Sequence, residues 1–252
     1  MRKLLLLAAL CSPLAMAQDI LVQSHSLLRL PAGGTSLDIQ RLEVADYGTL
    51  LVPGNITELK VGQLVLGHEA RIAIVPSAQP LSLQVGQGQL GSGSQITARG
   101  APGTFEKAPT PGRSLTLRMH ELQAERLSVD ARGGTGAPGF VGLDGANGQA
   151  PGCTWGQAGR GYDGDNGGNG HDGAAGGLVR LELPVAFPAE RIEVNVHGGA
   201  GGAGGEGGKA GRGGESKGCI VYRAAGGKAG NGGQAGQAGM AGPAGAVNVQ
   251  RF

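Results

Sequence analysis

Pairs of apolar residues separated by a single residue recur along the first half of the chain. Leu37 and Ile39 form one pair, and equivalent pairs begin at Leu59 and Leu81, so the starting positions are 22 residues apart each time. A second pair begins thirteen residues after each start, as Leu50 does after Leu37. Alternation with period two predicts short β-strands, and strands of this length bury a face only when repeats stack on one another.

The same pattern returns later in the chain at wider intervals. Leu115 and Val179 begin further pairs, and residues 124–134 resemble residues 189–199 at an offset of 65. Extra sequence therefore enters after the second strand of a repeat. The pattern predicts an all-β plus non-regular fold. This is a short right-handed β-solenoid with rungs of about 22 residues, in which glycine-rich insertions form a polyproline or polyglycine II helix bundle.

The predicted organisation has six parts along the chain, and the glycine-rich parts are insertions into the base rather than a domain in series. The parts are a signal peptide at 1–17, a β-solenoid base at 18–132, a first glycine-rich hairpin insertion at 133–177, solenoid strands at 178–197, a second glycine-rich hairpin insertion at 198–245 and a closing strand at 246–252.

Glycine supplies 52 of the 252 residues, and 39 of these lie in residues 133–252. There it recurs at every third position in runs one to four, at 133–148, 161–176, 199–214 and 227–245. A period of three is typical of the polyproline II helix, so each run is predicted to be an extended rod of roughly 50 Å. Collagen is a rival interpretation, but proline is rare within the runs and the triplets are interrupted. A flexible linker has no reason to keep both period and length.

Equal rods joined by short interruptions predict an intramolecular bundle, with glycine wherever two backbones approach to hydrogen-bonding distance. Run three contains glycine doublets, such as 198–199, which indicates that two of its three faces require glycine. Run three is therefore predicted to be the central rod. Its structural glycines are Gly199, Gly202, Gly205, Gly208, Gly211 and Gly214.

The first residues are typical of a secretory signal peptide. An apolar run at 4–10 follows a positively charged start, and small residues stand at 15 and 17, which predicts cleavage before Gln18. The apolar run is too short to span a bilayer. Cys11 suggests a lipoprotein as the alternative, but Leu10 occupies the place where a small residue is expected.

The formal charge of +2 disappears with the signal peptide, because Arg2 and Lys3 leave with it and the 21 cations become 19, equal to the 19 acidic residues. A neutral chain gives no electrostatic support to nucleic-acid binding. We expect no transmembrane segment in the mature chain and no cofactor. The expected location is extracellular or at the cell surface, with the periplasm as the alternative.

The two cysteines of the mature chain lie in the connectors between runs. Cys153 belongs to the connector at 149–160 and Cys219 to the connector at 215–226, and both connectors are predicted to lie at the far end of the bundle from the solenoid. In an oxidising compartment this arrangement favours a disulfide between Cys153 and Cys219. Two free thiols are the alternative, although exposed unpaired cysteine is a liability outside the cell.

The same connectors gather several of the scarce aromatic residues. Aromatic and arginine side chains on a constrained loop are typical of recognition surfaces for sugars or proteins. Capping of the bundle ends is the other interpretation, and the sequence leaves the two open. The predicted binding tip consists of Trp155, Tyr162, Ile220, Val221, Tyr222 and Arg223.

Metal binding has only weak sequence support. Residues 167–172 match one copy of the repeat found in calcium-binding β-rolls, but that motif works in tandem copies. The weak calcium candidates are Asp163, Asp165 and Asp172. The histidines without metal-ligand spacing are His120, His171 and His197.

Catalysis has little support as well, because the repeated outward positions mix charges and amides and show no converging carboxylates. We interpret them as a solvated face and predict that the protein is not an enzyme. These positions include Gln40, Arg41, Glu43, Lys60, Glu69 and Arg71.

The four rods resemble the polyglycine II bundles of bacteriophage distal tail-fibre adhesins, the snow flea antifreeze protein and the glycine-rich domain of Obg-type GTPases. The resemblance covers residues 133–245 and rests on the glycine period and the doublets. The phage adhesins imply apical loops that contact a surface receptor, which map onto 149–160 and 215–226. The antifreeze protein implies flat faces of Ala and Thr, whereas this exterior bears charges such as Lys209 and Arg212.

The leading hypothesis is a secreted bacterial surface protein without enzymatic activity. Its base serves attachment or assembly, its glycine arm is a rigid spacer, and its tip adheres to a surface glycan or protein receptor. The open ends of the solenoid favour self-assembly or attachment, because unpaired strand edges associate. The alternatives are a matrix or coat component without a discrete ligand site, and a solenoid carbohydrate-active enzyme.

Overall fold

The computed structural model describes residues 19–153 and 156–252, so the predicted signal peptide and its cleavage point before Gln18 lie outside the described residues. Parallel β-strands supply most of the regular structure, and a single short 3-10 helix, Ala189–Arg191, is found in the described part of the chain. The strands are β1 (Asp19–Val22), β2 (Leu27–Arg29), β3 (Ser36–Val44), β4 (Thr49–Val52), β5 (Glu58–Leu66), β6 (Arg71–Ile74), β7 (Leu81–Leu90), β8 (Ser94–Thr97), β9 (Leu115–Ala124), β10 (Leu127–Asp130), β11 (Val179–Leu183), β12 (Ile192–Asn195), β13 (Lys217–Gly218), β14 (Arg223–Ala224) and β15 (Val247–Arg251).

The strands form two parallel sheets. The larger sheet has seven strands in the order β1-β3-β5-β7-β9-β11-β15, and the smaller has six in the order β12-β10-β8-β6-β4-β2. From β1 to β12 the chain alternates between the two sheets, so each strand pairs with the strand two elements away in sequence. β13 and β14 form a separate antiparallel pair.

The predicted fold class is wrong. In place of an all-β plus non-regular fold built on a short right-handed β-solenoid, the chain forms two parallel sheets of seven and six strands. Four of the seven strands of the larger sheet are longer than the short strands expected from the sequence, since β3 and β5 extend over nine residues and β7 and β9 over ten. Alternating apolar residues determine which face of a strand is buried, but they do not determine how strands are grouped into sheets.

The predicted 22-residue rung is also not constant. Leu37 pairs with Leu59, a separation of 22, but Leu59 pairs with Leu83 and not with Leu81, a separation of 24. The shift of two residues keeps the same face buried, because side chains alternate with a period of two. The apolar pattern is therefore compatible with a separation of 24 residues as well as with the predicted 22.

One hydrophobic core joins the two sheets. Leu42 and Leu64 of the larger sheet and Leu50 and Ile72 of the smaller sheet are completely buried in it. Strands this rich in Leu, Ile and Val are typical of parallel sheets. Each side chain of this kind contributes about 1.5–3 kcal/mol through its removal from water.

A buried arginine ties the loops beside this core. Arg113 is almost fully buried, and its guanidinium donates hydrogen bonds to the backbone oxygens of Ile56, Val75 and Gln79. Burial lowers the pKa of Arg113. Because carbonyl oxygens take the place of a carboxylate, the cation joins two loops, the one between β4 and β5 and the one between β6 and β7, to the start of β9.

The glycine runs lie side by side and are joined by backbone hydrogen bonds, and we call them together the glycine arm. Run three donates to run two, as Gly205 does to the oxygen of Gly168 at 2.9 Å, and run four donates to run three, as Gly236 does to Gly205 at 2.8 Å. Run one donates to run three, as Gly139 does to Ala203 at 2.8 Å. The repeating glycine of each triplet thus donates to a neighbouring backbone, and in run two the residue after it donates as well, as Asp165 does to Leu143.

Runs two and three share the centre of the arm. Run three bonds to the other three runs, and its six structural glycines are all buried. Run two does the same, because it also donates to run one, as Gly168 does to Phe140, and to run four, as Gly167 does to Gln234. The glycine doublets indicated run three alone, and the structure places run two beside it.

Replacing Gly205 with alanine is expected to disrupt the arm. A Cβ at Gly205 would overlap the backbone oxygen of Phe140, whereas a Cβ at Gly232 would meet only the oxygen of Gly208 at 3.8 Å. We predict that Gly205→Ala lowers the free energy of unfolding of the arm by about 3 kcal/mol. The matched control Gly232→Ala should change it by less than about 0.5 kcal/mol. Amide hydrogen exchange at increasing urea concentration measures the free energy of unfolding of both variants. Equal destabilisation by Gly205→Ala and Gly232→Ala would contradict the packing described.

Candidate functional site

The tip of the arm consists of the connectors at 149–160 and 215–226. The chain leaves the smaller sheet after β10, returns to the larger sheet at β11, and leaves and returns again between β12 and β15. Both connectors therefore join runs at the end of the arm remote from the sheets. Trp155, one of the predicted tip residues, lies outside the described residues.

The second connector forms a tight β-hairpin. Lys217 pairs with Ala224 and Gly218 pairs with Arg223, and the N–H of Cys219 donates to the oxygen of Tyr222 at 2.8 Å. Ile220 and Val221 occupy the turn and are almost fully exposed, at 106% and 93%. Two β-branched apolar side chains thus stand in solvent at the apex of the molecule's arm.

Two contacts hold this hairpin against the first connector. Cys153 and Cys219 form a disulfide, with their Cα atoms 5.6 Å apart. The hydroxyl of Tyr222 donates a hydrogen bond to the backbone oxygen of Gly152 at 2.9 Å. The hairpin is therefore anchored on both of its sides, which limits the conformational entropy it loses on binding a ligand.

The disulfide also bears on location. Disulfides persist in oxidising environments, so the Cys153–Cys219 bond indicates a location outside the cytoplasm. Within residues 19–153 and 156–252, no helix has the length and apolar character needed to cross a bilayer.

The structure divides the remaining predicted tip residues between two places. Tyr222 and Arg223 belong to the hairpin together with its exposed turn. Tyr162 lies in run two, where its backbone N–H donates to Ala146 at 2.8 Å and its ring is exposed beside Arg160. Among the described residues, Tyr162 and Tyr222 are thus separate surface elements.

A cleft of about 610 Å³ opens between the hairpin and the start of runs two and four, and we call it the tip cleft. Its floor consists of glycine and alanine, including Gly156, Ala225 and Gly226. Its larger lining side chains are Gln157, Arg160, Tyr222, Arg223 and Lys228. The tip cleft therefore combines an aromatic ring with three cations, and its lining contains no acidic residue.

Aspartate and asparagine side chains form a ladder along the arm. Asp163, Asn166, Asn169 and Asp172 of run two each accept the backbone N–H of the residue 68 positions later in run four, at 2.7–2.9 Å. Asp144 and Asn147 do the same for Lys209 and Arg212 of run three. These side chains satisfy outward amides that no backbone oxygen reaches.

This ladder explains two of the three calcium candidates. Asp163 and Asp172 direct an oxygen to the backbone of run four, and their spacing follows the glycine triplets. Among the described residues, no three His, Cys, Asp or Glu side chains come together as a metal site would require, and this includes Asp165, His120, His171 and His197. Within the β-roll motif at 167–172, Asn169 and Asp172 are members of the ladder.

The outward face of the larger sheet carries structural ion pairs. Arg41 lies 2.9 Å from Glu43, and Lys60 lies 3.0 Å from Glu58. A cavity of about 810 Å³ lies elsewhere on this sheet, beside β9 and the loop before the 3-10 helix. It is lined by apolar residues such as Leu122 and Phe187 and by polar residues that include His120, Glu121 and Arg191.

Sequence reasoning missed the ladder and the tip cleft. A signal for the ladder was present, since each Asx of the ladder directly precedes a glycine of its run, as Asn166 precedes Gly167. The tip cleft had no such signal, because Arg160 and Lys228 are 68 residues apart and meet only through the pairing of runs two and four.

Asp163 is expected to titrate below the ordinary range. The backbone N–H of Asn231 lowers the pKa of the Asp163 carboxyl, and Arg160, 3.1 Å away, lowers it further. A depressed folded-state pKa stabilises the arm above the unfolded value of about 3.9, and this contribution is lost as the pH falls through the folded value. The NMR shift of the Asn231 amide should therefore titrate with a midpoint below about 3.9.

The variant Asp163→Asn should abolish this titration and keep the hydrogen bond, because an amide oxygen already plays the same role at Asn166. Asp165→Asn is the matched control, and it should leave the titration of the Asn231 amide unchanged. An unaltered titration in Asp163→Asn would contradict the assignment.

Comparison with protein families, with curated proteins and with solved structures finds no match for this chain. The resemblance to polyglycine II proteins therefore stays a prediction from the glycine pattern.

Proposed function

We propose that this protein is a secreted, non-enzymatic bacterial surface protein that adheres to a surface glycan or protein receptor through its disulfide-linked tip. The observation that carries the proposal is the exposed turn of Ile220 and Val221 on a hairpin that is anchored at Cys219 and Tyr222. Exposed apolar side chains gain free energy when a partner removes them from water. A constrained loop loses little conformational freedom in doing so.

The glycine arm supports this function as a spacer. Its runs are extended, and a run of 16 residues such as run one spans at most roughly 55 Å. Hydrogen bonds between runs recur at every triplet from Gly133 to Gly148. Bonds at such regular intervals oppose bending, so the arm holds the tip away from the sheets.

Export through a cleaved signal peptide at 1–17 is part of the proposal. The sequence of this segment and the disulfide of the tip support it together. At the cell surface or outside the cell, the tip can contact a surface glycan or a protein receptor.

A matrix or coat component is the second candidate, and the edges of the larger sheet favour it. Val247 and Val249 of β15 pair in register with Val179 and Leu181, which are buried, yet they are 43% and 45% exposed. At the opposite edge of this sheet, Leu21 of β1 is exposed. Unpaired strand edges with apolar side chains associate with further strands, so the protein would assemble through these edges.

Removal of the apolar turn tests the adhesive function. We predict that the double substitution Ile220→Ser and Val221→Ser weakens binding of the fluorescently labelled protein to bacterial cells and to immobilised glycans by at least about tenfold, because the turn supplies the apolar contact. The matched control is Val141→Ser with Leu143→Ser, which changes two exposed apolar residues of run one. Binding of the control should equal that of the unaltered protein.

Equal binding by the tip variant and its control would contradict the adhesive function. If Val247→Ser with Val249→Ser then abolished concentration-dependent assembly in light scattering, the matrix function would replace it.

A further inference from the structure

The Asx ladder between runs two and four ends differently at its two ends. At the sheet end, the next position of run two is Ala175, which has no side-chain acceptor, and the residue 68 positions later is Pro243, which has no N–H to satisfy. At the tip end, the next position is Arg160, and the residue 68 positions later is Lys228, whose N–H remains a donor. At the sheet end, neither a side-chain acceptor nor a backbone N–H is present. At the tip end, the N–H of Lys228 is present but Arg160 supplies no side-chain acceptor for it.

The oxygen of Lys228 is occupied, since it accepts the N–H of Gly161 at 2.9 Å, but its own N–H has no acceptor among the described residues. An unpaired amide at a surface is not unusual, and those of Ala203 and Glu206 on run three are also without a protein acceptor there. The difference at Lys228 is the surroundings, because it lines the tip cleft.

The tip cleft concentrates positive charge. Arg160, Arg223 and Lys228 line it, and the lining has no carboxylate. Arg160 contacts Asp163 on the arm at 3.1 Å, while Arg223 and Lys228 make no ion pair within the described residues. Four consecutive triplets of run two thus place a carboxylate or amide oxygen beside run four. In the next triplet, at the tip, the equivalent residue is Arg160, and the positively charged tip cleft attracts a carboxylate.

The neutral part of the tip cleft suits a sugar ring. The ring of Tyr222 is held in place by its hydrogen bond to Gly152, which leaves a fixed apolar surface. The glycine and alanine floor brings backbone amides close to a ligand, and a volume of about 610 Å³ lies in the range of small-ligand pockets. Aromatic faces and fixed polar groups together are the usual means of orienting such a ligand.

We propose that the tip cleft binds a carboxylate-bearing sugar of an acidic glycan, with the carboxylate taking the place of the missing Asx beside the Lys228 amide. The inference rests on the proposed adhesive function and specifies the ligand class of the same tip. Arg223 and Lys228 supply charge-assisted contacts to the carboxylate, and Tyr222 packs against the sugar.

Oligogalacturonate and its methyl ester test this proposal, because they share a backbone and differ in charge. The protein is expected to bind the acid at least about tenfold more tightly than the ester, and the difference should shrink as NaCl is raised from about 0.05 M to about 0.5 M. Poly-glutamate serves as the acidic peptide probe. Equal binding of acid and ester would overturn the proposal, and so would preferential binding of poly-glutamate, which would assign the tip cleft to an acidic protein.

The decisive variant is Arg160→Asn, which extends the ladder by one triplet. Its side chain is expected to accept the Lys228 amide, as Asn166 does for Gln234, and to fill the carboxylate position. We expect at least about tenfold weaker binding of oligogalacturonate, with the stability of the arm retained or raised. Lys228→Gln should also weaken binding. Its matched control Lys209→Gln should not, because the amide of Lys209 already bonds to Asp144 and this residue does not line the tip cleft.

The two proposals fail separately. If the Ile220 and Val221 variant loses adhesion but Arg160→Asn binds oligogalacturonate like the unaltered protein, the adhesive function stands and the carboxylate site is overturned. If Arg160→Asn loses binding while the turn variant adheres normally, the carboxylate site stands and the apolar turn is not the adhesive element.

Discussion

The structure depends on hydrogen bonds between neighbouring backbones of the glycine arm. These backbones approach so closely that no side chain fits where they meet. An added Cβ at Gly202 or Gly205 would overlap the oxygen of Ala137 or Phe140 in run one. The requirement recurs at every third residue because each extended run presents one of its three faces to each neighbour. Side chains are therefore confined to the positions between the repeating glycines.

The parallel sheets set the register of the arm. Leu115 pairs with Val179 at a separation of 64, and the amide of Gly139 bonds to Ala203 at the same separation. Between runs two and four the separation is 67, as in Gly167 with Gln234, close to the 68 of Val179 with Val247. Parallel pairing therefore continues from the sheets into the arm, and the antiparallel contacts within each hairpin are added to it. The tip is positioned by the same register.

The sequence predicts the repeating strands and glycine runs. It does not predict how the strands are grouped into sheets or that two runs share the centre of the arm. Alternating leucines identify the buried faces, but they led to a solenoid of constant rungs because Leu59 suits Leu81 and Leu83 equally well. The glycine doublets indicate the burial of run three, whereas run two has one doublet within its bounds, Gly167 and Gly168, which is too weak a signal for its contacts with all three other runs. The cysteine pair follows from connector geometry. The tip cleft could not be predicted, since Arg160 and Lys228 are brought together only by the pairing of runs.

Residue-resolved amide hydrogen exchange along run three tests the central account most directly. The amides of Gly202 and Gly205 donate to run two, while those of Ala203 and Glu206 have no acceptor within the described residues. The account predicts slow exchange at every third residue and fast exchange at these intervening positions. Uniform exchange along the run, whether fast or slow, would contradict it.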